Sequence, residues 1–251
     1  MTKIAIITGA SQGIGKEIAK KLAKDYEVIL LARNEDKLKA VQKTIVSENG
    51  KAHVLKCDVS NTASINETLD KILLDFENRI EVIVNNAGIG GPFHTTDLVS
   101  ESEWDNVFAT NVKSAFLFCK RLLPIMKANG NGRVINISSI LGILGGTQSS
   151  TYAASKHALV GYTKSIAQEW ATFNITCNVI SPGFIQTKMG AEKQSDFRTK
   201  IIESIPNKRQ GTTSEIAHLV SFLSQAESAY INGADLIIDG GFTSGLRLRN
   251  L

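Results

Sequence analysis

Lys3-Ile4-Ala5-Ile6-Ile7-Thr8-Gly9-Ala10-Ser11-Gln12-Gly13-Ile14-Gly15 is the stretch from which the fold is read. The apolar run Ile4 to Ile7 reads as a buried strand, and a glycine-rich turn follows at once. Lys16 to Lys24 then carries a helical pattern, with Ile18, Ala19, Leu22 and Ala23 on one face. Strand, glycine turn and helix in that order are the ingredients of a dinucleotide site. Small residues let the backbone approach a pyrophosphate, and the helix N-terminus offers free N–H groups and the positive end of its dipole. Gly9, Gly13 and Gly15 are spaced Gly-x-x-x-Gly-x-Gly, which differs from the more general Gly-x-Gly-x-x-Gly fingerprint.

The alternation continues outward. Glu27 to Ala32 is a second strand, ending at Arg33-Asn34, and Glu35 and Asp36 are the acidic residues that the first turn of a following helix favours. A grip on an unmodified adenosine ribose commonly places Asp or Glu at such a strand end. Ala32 and Arg33 stand there instead. A guanidinium suits a 2′-phosphate through bidentate charged hydrogen bonds, so NADP is expected over NAD; otherwise Arg33 is a solvated loop charge. Ala52 to Cys57 is a strand followed by Asp58-Val59, Asn61 to Glu77 a helix, and Ile80 to Val84 a strand ending in Asn85-Asn86-Ala87-Gly88. Ser102 to Lys127 reads as one long helix containing Asn111. Arg133 to Ile137 is a strand, Tyr152 to Thr172 a long helix, and Ile175 to Ser181 a strand closed by Pro182-Gly183. A polar segment runs to Pro206, then come a helix from Ser214 to Ser224 and a last strand, Asp235 to Asp239. Strands alternating with helices predict an α/β fold: a single doubly wound domain over 1–251, with a seven-stranded parallel sheet and helices on both faces.

Composition narrows the function classes. Of 251 residues, 43% are hydrophobic and 21% charged, ordinary values for a globular protein with a sizeable core. A net charge of +4, spread along the chain, and an aromatic content of 6% give no basic stripe with stacking rings, so nucleic-acid binding is not expected. No apolar run approaches bilayer length, and Ile4 to Ile7 are too few for a signal-peptide core. Cys57, Cys119 and Cys177 are odd in number, far apart and set among apolar neighbours. They read as buried thiols of a reducing cytoplasm rather than disulfides or metal ligands.

The chemistry-bearing stretch is Asn136-Ile137-Ser138-Ser139-Ile140, followed by a glycine-rich passage and Tyr152-Ala153-Ala154-Ser155-Lys156. Ser149, Ser150 and Thr151 are residue types that start helices. Tyr152 and Lys156, four apart on one helix, share a face. An ammonium beside a phenol is expected to lower the phenol below its usual ~10, giving a proton donor and acceptor for near-neutral pH. A serine at a strand end can hydrogen-bond the same substrate oxygen. Alone, such a Tyr and Lys are as readily a half-buried ring and a snorkelling amine.

Taken together, the motifs resemble the short-chain dehydrogenase/reductase family over Lys3 to Gly241. They are Thr8-Gly9-x-x-x-Gly13-x-Gly15, Asn85-Asn86-Ala87-Gly88, Asn111, Ser139, Tyr152-x-x-x-Lys156 and Pro182-Gly183-x-x-x-Thr187. The resemblance implies a Rossmann-type fold and hydride transfer between a nicotinamide cofactor and a carbonyl or alcohol. It makes Tyr152 the general acid/base, Lys156 the group that lowers its pKa and bonds the nicotinamide ribose, and Ser139 the orienter of the substrate oxygen, with Ser138 structural. Asn111 would hold a water linking Lys156 to solvent; alternatively it satisfies helix backbone groups. Around the cofactor it implies Gly9, Ser11, Gln12, Gly13, Ile14 and Gly15 at the phosphates, Arg33 at the ribose, and Asp58 and Val59 at adenine. Asn86, Ala87 and Gly88 would line the groove, together with Tyr152, Lys156, Pro182 and Gly183, while Ile185 and Thr187 would meet the carboxamide. A homotetramer, or a homodimer, is implied as well, with the helices around Asn111 and Tyr152 at one interface.

Within that family the chain is most similar to 3-oxoacyl-(acyl-carrier-protein) reductases, through Thr8 to Gly15 and Ser181-Pro182-Gly183-Phe184-Ile185. Carrier-dependent members place arginines before the fifth and sixth strands to grip an acidic partner. Here those regions read Ala128-Asn129-Gly130-Asn131-Gly132, flanked by Lys127 and Arg133, and Thr172-Phe173-Asn174. Lys188 stands where Asp often follows the Thr, and a tail, Leu246 to Leu251, extends beyond the usual end. The substrate is therefore either an acyl thioester on CoA or carrier protein, or a free ketone, diketone, keto ester, quinone or sugar. Phe93, Ile140, Leu141, Ile143, Leu144, Phe184 and Met189 would give a mainly apolar pocket, and 184–206 a lid ordered by ligand. A catalytically idle NADP-binding sensor is the remaining class; it would not need Ser139, Tyr152 and Lys156 together.

Overall fold

A computed structural model describes residues 2–76, 79–186 and 195–245. Its centre is a sheet of seven strands: β1 (Ile4–Thr8), β2 (Glu27–Ala32), β3 (Lys51–Lys56), β4 (Ile80–Asn85), β5 (Gly132–Ile137), β6 (Ile175–Pro182) and β7 (Asp235–Ile238). All neighbours pair in parallel, in the order β3-β2-β1-β4-β5-β6-β7. The order reverses between β1 and β4, so the crevice at their C-terminal ends is where such a sheet binds ligands.

The continuous apolar runs follow from burial on both faces. Along β1, Ala5 and Ile7 pack into one core cluster while Ile4 and Ile6 pack into the other. Val28 and Leu30 of β2 join the first cluster, Ile29 and Leu31 the second. Helix α1 (Gly13–Leu22) covers the first face with Ile18 and Leu22. Helix α2 (Glu35–Ser47) packs Leu38, Val41 and Ile45 on the same side. Helix α3 (Thr62–Phe76) buries Ile65, Leu69 and Ile72 on the other. Cys57, Cys119 and Cys177 are buried free thiols, and burial pushes the Cys119 thiol up to about 11. Among the described residues, no helix is long and apolar enough to cross a membrane.

Three features depart from the sequence expectation. The long helix around Asn111 is interrupted: α4 (Glu101–Phe108) is followed by a π-helical turn, Ala109–Lys113, and then α5 (Ser114–Ala128). Such wide turns set a side chain out of helical register. The helix after β5, α6, starts earlier than Tyr152 and runs Ser150–Trp170. Within the expected lid, Gln186 N donates to Gly211 O at 2.9 Å, and α7 spans Ser195–Ser204. Thr187, Lys188 and Met189, the rest of the lid to 194, and the tail Leu246 to Leu251 lie outside the described residues. The last helix, α8 (Thr213–Ser224), carries the capping box of Thr212 and Glu215 and packs on α1's side of the sheet.

Candidate active site

The crevice is built by the turns after β1 and β4. Gly9 and Gly13 take φ of +68° and +57°, a region costly for other residues. At Gly15 the constraint is contact: a Cβ would lie 2.3 Å from Gly9 O and 2.4 Å from Asn86 Nδ2. Asn86 Nδ2 donates to Thr8 O at 2.9 Å, while Thr8 Oγ1 accepts from the N–H groups of Asn86 and Ala87, both at 3.0 Å. The two turns therefore move as one body. Helix α1 opens on Gln12, whose side chain makes no capping bond, and has no acidic residue in its first turn. Its N-terminal N–H groups are left for an anion.

At the other end of the crevice, β5 delivers Ser138 and Ser139, and α6 delivers Tyr152 and Lys156. Ser139 stands by the Tyr152 hydroxyl, and its Oγ accepts from Leu141 N at 3.1 Å. Ser138 is buried and donates to Lys156 O at 3.2 Å, so it fastens α6 to β5. Lys156, 4% exposed, donates from Nζ to Ile137 O at 2.8 Å. A Cβ on Gly88 would sit 3.3 Å from Asn111 Oδ1 and 3.5 Å from Lys156 Nζ, so both polar atoms border Gly88. The Asn111 amide is held on three sides. Oδ1 accepts from Ile89 N at 2.9 Å, and Nδ2 donates to Ile89 O and Ser155 Oγ, each at 3.0 Å.

The electrostatics correct one expectation. Burial pushes the Tyr152 phenol above its ordinary value, and the hydrogen bond with Ser139 brings it part of the way back. Lys156 does not pull it down, because Nζ lies 5.6 Å from the ring centre and spends its bond on Ile137 O. Burial alone lowers Lys156 to about 8. The pair as arranged is a protonated phenol beside a lysine whose charge is costly.

The adenosine end is polar. Partial burial works to raise the Asp58 carboxyl, but hydrogen bonds from Ser60 Oγ (2.7 Å) and N (3.0 Å), with the Arg33 charge, hold it below the usual value. Val59 is buried beside it, and Arg33 is exposed. Pro182 is the last residue of β6, and a Cβ on Gly183 would meet Asp239 Cβ at 2.7 Å. Ile185 pairs with Gly211 in an isolated bridge. Of the expected pocket residues, Phe93, Ile143 and Leu144 are exposed, Phe184 lies edge-on to Phe242 at 5.3 Å, and Ile140 is buried. Glycines that leave the backbone open at both ends, an uncapped helix N-terminus and the Asp58–Arg33 strip together fit a nicotinamide dinucleotide.

Three residues escaped the sequence reading. Thr8 Oγ1 ties the two turns, Ser155 bridges Asn111 to Tyr152 O, and Lys37 Nζ reaches Gln12 Oε1 at 3.3 Å. Thr8 and Ser155 are adjacent to or inside the motifs already singled out. Lys37 had no signal, being one of many exposed lysines.

The family model described as enoyl-(acyl carrier protein) reductase matches residues 9–243. The chain belongs to the short-chain dehydrogenase/reductase family of NAD(P)-dependent oxidoreductases. Among its relatives, 3-oxoacyl-(acyl-carrier-protein) reductase FabG of Escherichia coli (strain K12) is 39% identical over 244 residues, 95% of this chain and 96% of that protein. The FabG of Staphylococcus epidermidis (strain ATCC 35984) is 35% identical over 96% of this chain and 99% of its own. Of solved structures, YwfH, an NADPH-dependent reductase involved in bacilysin biosynthesis, superposes with a TM-score of 0.92 at 31% identity, covering 98% of this chain and all of that one (100%). A variant actinorhodin polyketide ketoreductase with NADPH gives 0.90 at 30% identity, covering 96% and 97%.

Proposed function

We propose that this chain is an NADP(H)-dependent reductase that converts the carbonyl of a 3-oxoacyl thioester to a secondary alcohol. The observation that carries the reading is that Tyr152 lies between Ser139, which acts on its hydroxyl, and Lys156, whose Nζ is 5.6 Å from its ring centre and stands beside Gly88. When bound, the nicotinamide supplies the hydride. The Tyr152 hydroxyl gives its proton to the carbonyl oxygen, and Ser139 Oγ hydrogen-bonds the same oxygen as charge develops there. A phenol raised by burial stays protonated at neutral pH, which suits the reducing direction. Lys156 Nζ, anchored on Ile137 O, would bond the cofactor ribose, and Asn111, whose Oδ1 also lies beside Gly88, would hold the water through which a proton returns from solvent.

Relatives named as 3-oxoacyl-(acyl-carrier-protein) reductases and structural neighbours named for NADPH support the thioester and NADP. A second reading, reduction of free ketones, diketones or sugars, is favoured by the surface where a carrier would dock. Arg133 is 1% exposed and spends its guanidinium on Gly132 O and Asn174 O, while Lys127 Nζ lies 3.9 Å over the Phe173 ring. Arg133 therefore does not present the open cation that an acidic carrier needs, and Lys127 alone of the two stays exposed. We read the compartment as the cytoplasm and the assembly as a homotetramer or homodimer; Trp104 and Phe116, 40% and 44% exposed on α4 and α5, are apolar surface for such an interface.

The test is oxidation of NADPH and NADH against acetoacetyl-CoA, an acetoacetyl carrier protein, and free ketones and diketones, with Tyr152→Phe as control. Consumption of NADPH on the thioesters, lost in the variant, is the expected result. Turnover confined to free carbonyls selects the second reading. Tight NADPH binding with no turnover on any carbonyl leaves the sensor.

A further inference from the structure

We propose that Lys37 is a second cation for the adenosine 2′-phosphate, working with Arg33 and setting the preference for NADP over NAD; this rests on the NADP reading above. Helix α2 is capped by Asn34, whose Oδ1 accepts from Lys37 N at 2.9 Å and so fixes where the Lys37 side chain departs. From there Nζ crosses to Gln12 Oε1 at 3.3 Å. Gln12 is the residue that opens α1 in the glycine turn, with extended backbone and no capping duty of its own. The Lys37 ammonium thus stands between the pyrophosphate end of the crevice and the β2 terminus that presents Arg33. A ribose whose 5′ side is anchored at α1 passes through that gap.

The charges around this gap sort themselves. Lys39, two residues further along α2, is committed to Glu35 at 2.7 Å, which also occupies that carboxylate. Asp36 is exposed on the same first turn and opposes an anion. The partner of Lys37 Nζ across the gap is a neutral amide, so its positive charge is not cancelled by that contact. A phosphate dianion accepts from Nζ in place of Gln12 Oε1, and Arg33 supplies the bidentate half of the grip. Arg33 also lines a polar cleft of about 360 Å³ with Lys39 and Lys56. A phosphate seated in that cleft would depend on Lys56 instead, which gives the proposal a structural rival.

The experiment is calorimetric titration of the full chain with NADPH and with NADH, comparing wild type with Lys37→Met, Lys37→Gln, Lys56→Met and Arg33→Ala. Far-UV circular dichroism and melting temperature check that α2 is intact. Both Lys37 variants are expected to weaken NADPH by roughly tenfold and leave NADH within twofold, on the scale of one charged hydrogen bond to phosphate. Unchanged NADPH affinity in both, with Arg33→Ala or Lys56→Met weakening it, overturns the role of Lys37 and leaves the NADP reading standing. Equal weakening of NADPH and NADH overturns it as well, since the contact then does not read the 2′-phosphate. Wild-type affinity that is equal for the two cofactors and indifferent to Arg33→Ala refutes the NADP reading itself and the proposal with it.

Discussion

Asn111 Nδ2 and Ser155 Oγ are 3.0 Å apart, and Ser155 Oγ in turn donates 2.7 Å to Tyr152 O. The hydroxyl of a fully buried serine therefore joins the π-helical turn to the first turn of α6. Neither residue needs the other for its own helix. The bond matters because it fixes Asn111 relative to Tyr152 and Lys156.

Ser155→Ala leaves one N–H of the Asn111 amide without a partner in a buried site. An unsatisfied buried donor costs about 1–3 kcal/mol, so the melting temperature is expected to fall. Activity on the best carbonyl should drop about tenfold in kcat with the cofactor Kd unchanged, on the general scale of a displaced proton-transfer group. Thermal melts and steady-state kinetics on the same preparation check both. A stability loss without any change in kcat would reduce Ser155 to a packing residue.

Gly15→Ala addresses the joint between the two turns. Its Cβ would be driven to 2.3 Å from Gly9 O and 2.4 Å from Asn86 Nδ2, far inside contact distance. Backbone on one side leaves little room to yield, and overpacking of this kind costs about 1–3 kcal/mol. Urea unfolding should show that loss, and calorimetry should show weakened binding of both NADPH and NADH. Gly145→Ala, which meets nothing within 4 Å, is the matched control.

The strands were legible because parallel pairing buries both faces of each one, and Ile4 to Ile7 of β1 and Val28 to Ala32 of β2 consequently read as unbroken apolar runs. Tyr152 and Lys156 were legible from their spacing, and the structure sets Tyr152 beside Ser139 and Lys156 beside Gly88. The π-helical turn at Asn111 was not, since one extra residue in a turn leaves the apolar period nearly unchanged over so short a span. The direction of the Tyr152 shift was also hidden. Sequence spacing brings an amine to the same helix face, but whether it meets the hydroxyl or the carbonyl of Ile137 is decided by β5, 19 residues away. Lys37 belongs with these, because its meaning comes from Gln12, 25 residues back on another turn.

Tyr152→Phe removes the hydroxyl that Ser139 contacts and keeps the ring. Loss of a general acid lowers rates by about 10²–10⁴, so kcat should fall into that range while NADPH affinity stays within twofold. Ser139→Ala removes a donor to the same oxygen and should cost about 10–10³ in kcat. The double variant should be no worse than Tyr152→Phe by more than a few-fold, because the two hydroxyls serve one atom. Additive losses in stopped-flow and steady-state rates would show that they act at separate places.

Lys156 ties stability to pH in the cofactor-free protein. Burial lowers it from an ordinary 10.5 to about 8, so between those values the unfolded chain holds a proton that the folded chain has released. Unfolding then takes up a proton, and the lysine makes the folded state more stable as pH rises from about 8 to about 10, by at most ~1.4 kcal/mol per unit. Cys57, Cys119, Cys177 and Tyr152 are all raised by burial and act in the opposite sense above their ordinary values, so the lysine must be isolated by difference. Lys156→Met keeps the buried stem and removes the titrating group. The wild-type minus variant unfolding free energy, from urea titrations at pH 7, 8, 9 and 10, should be flat below pH 8 and climb from 8 to 10. A difference that stays flat throughout would mean that Lys156 keeps its proton in the folded protein, held there by Ile137 O and the Asn111 side of the crevice strongly enough to offset burial.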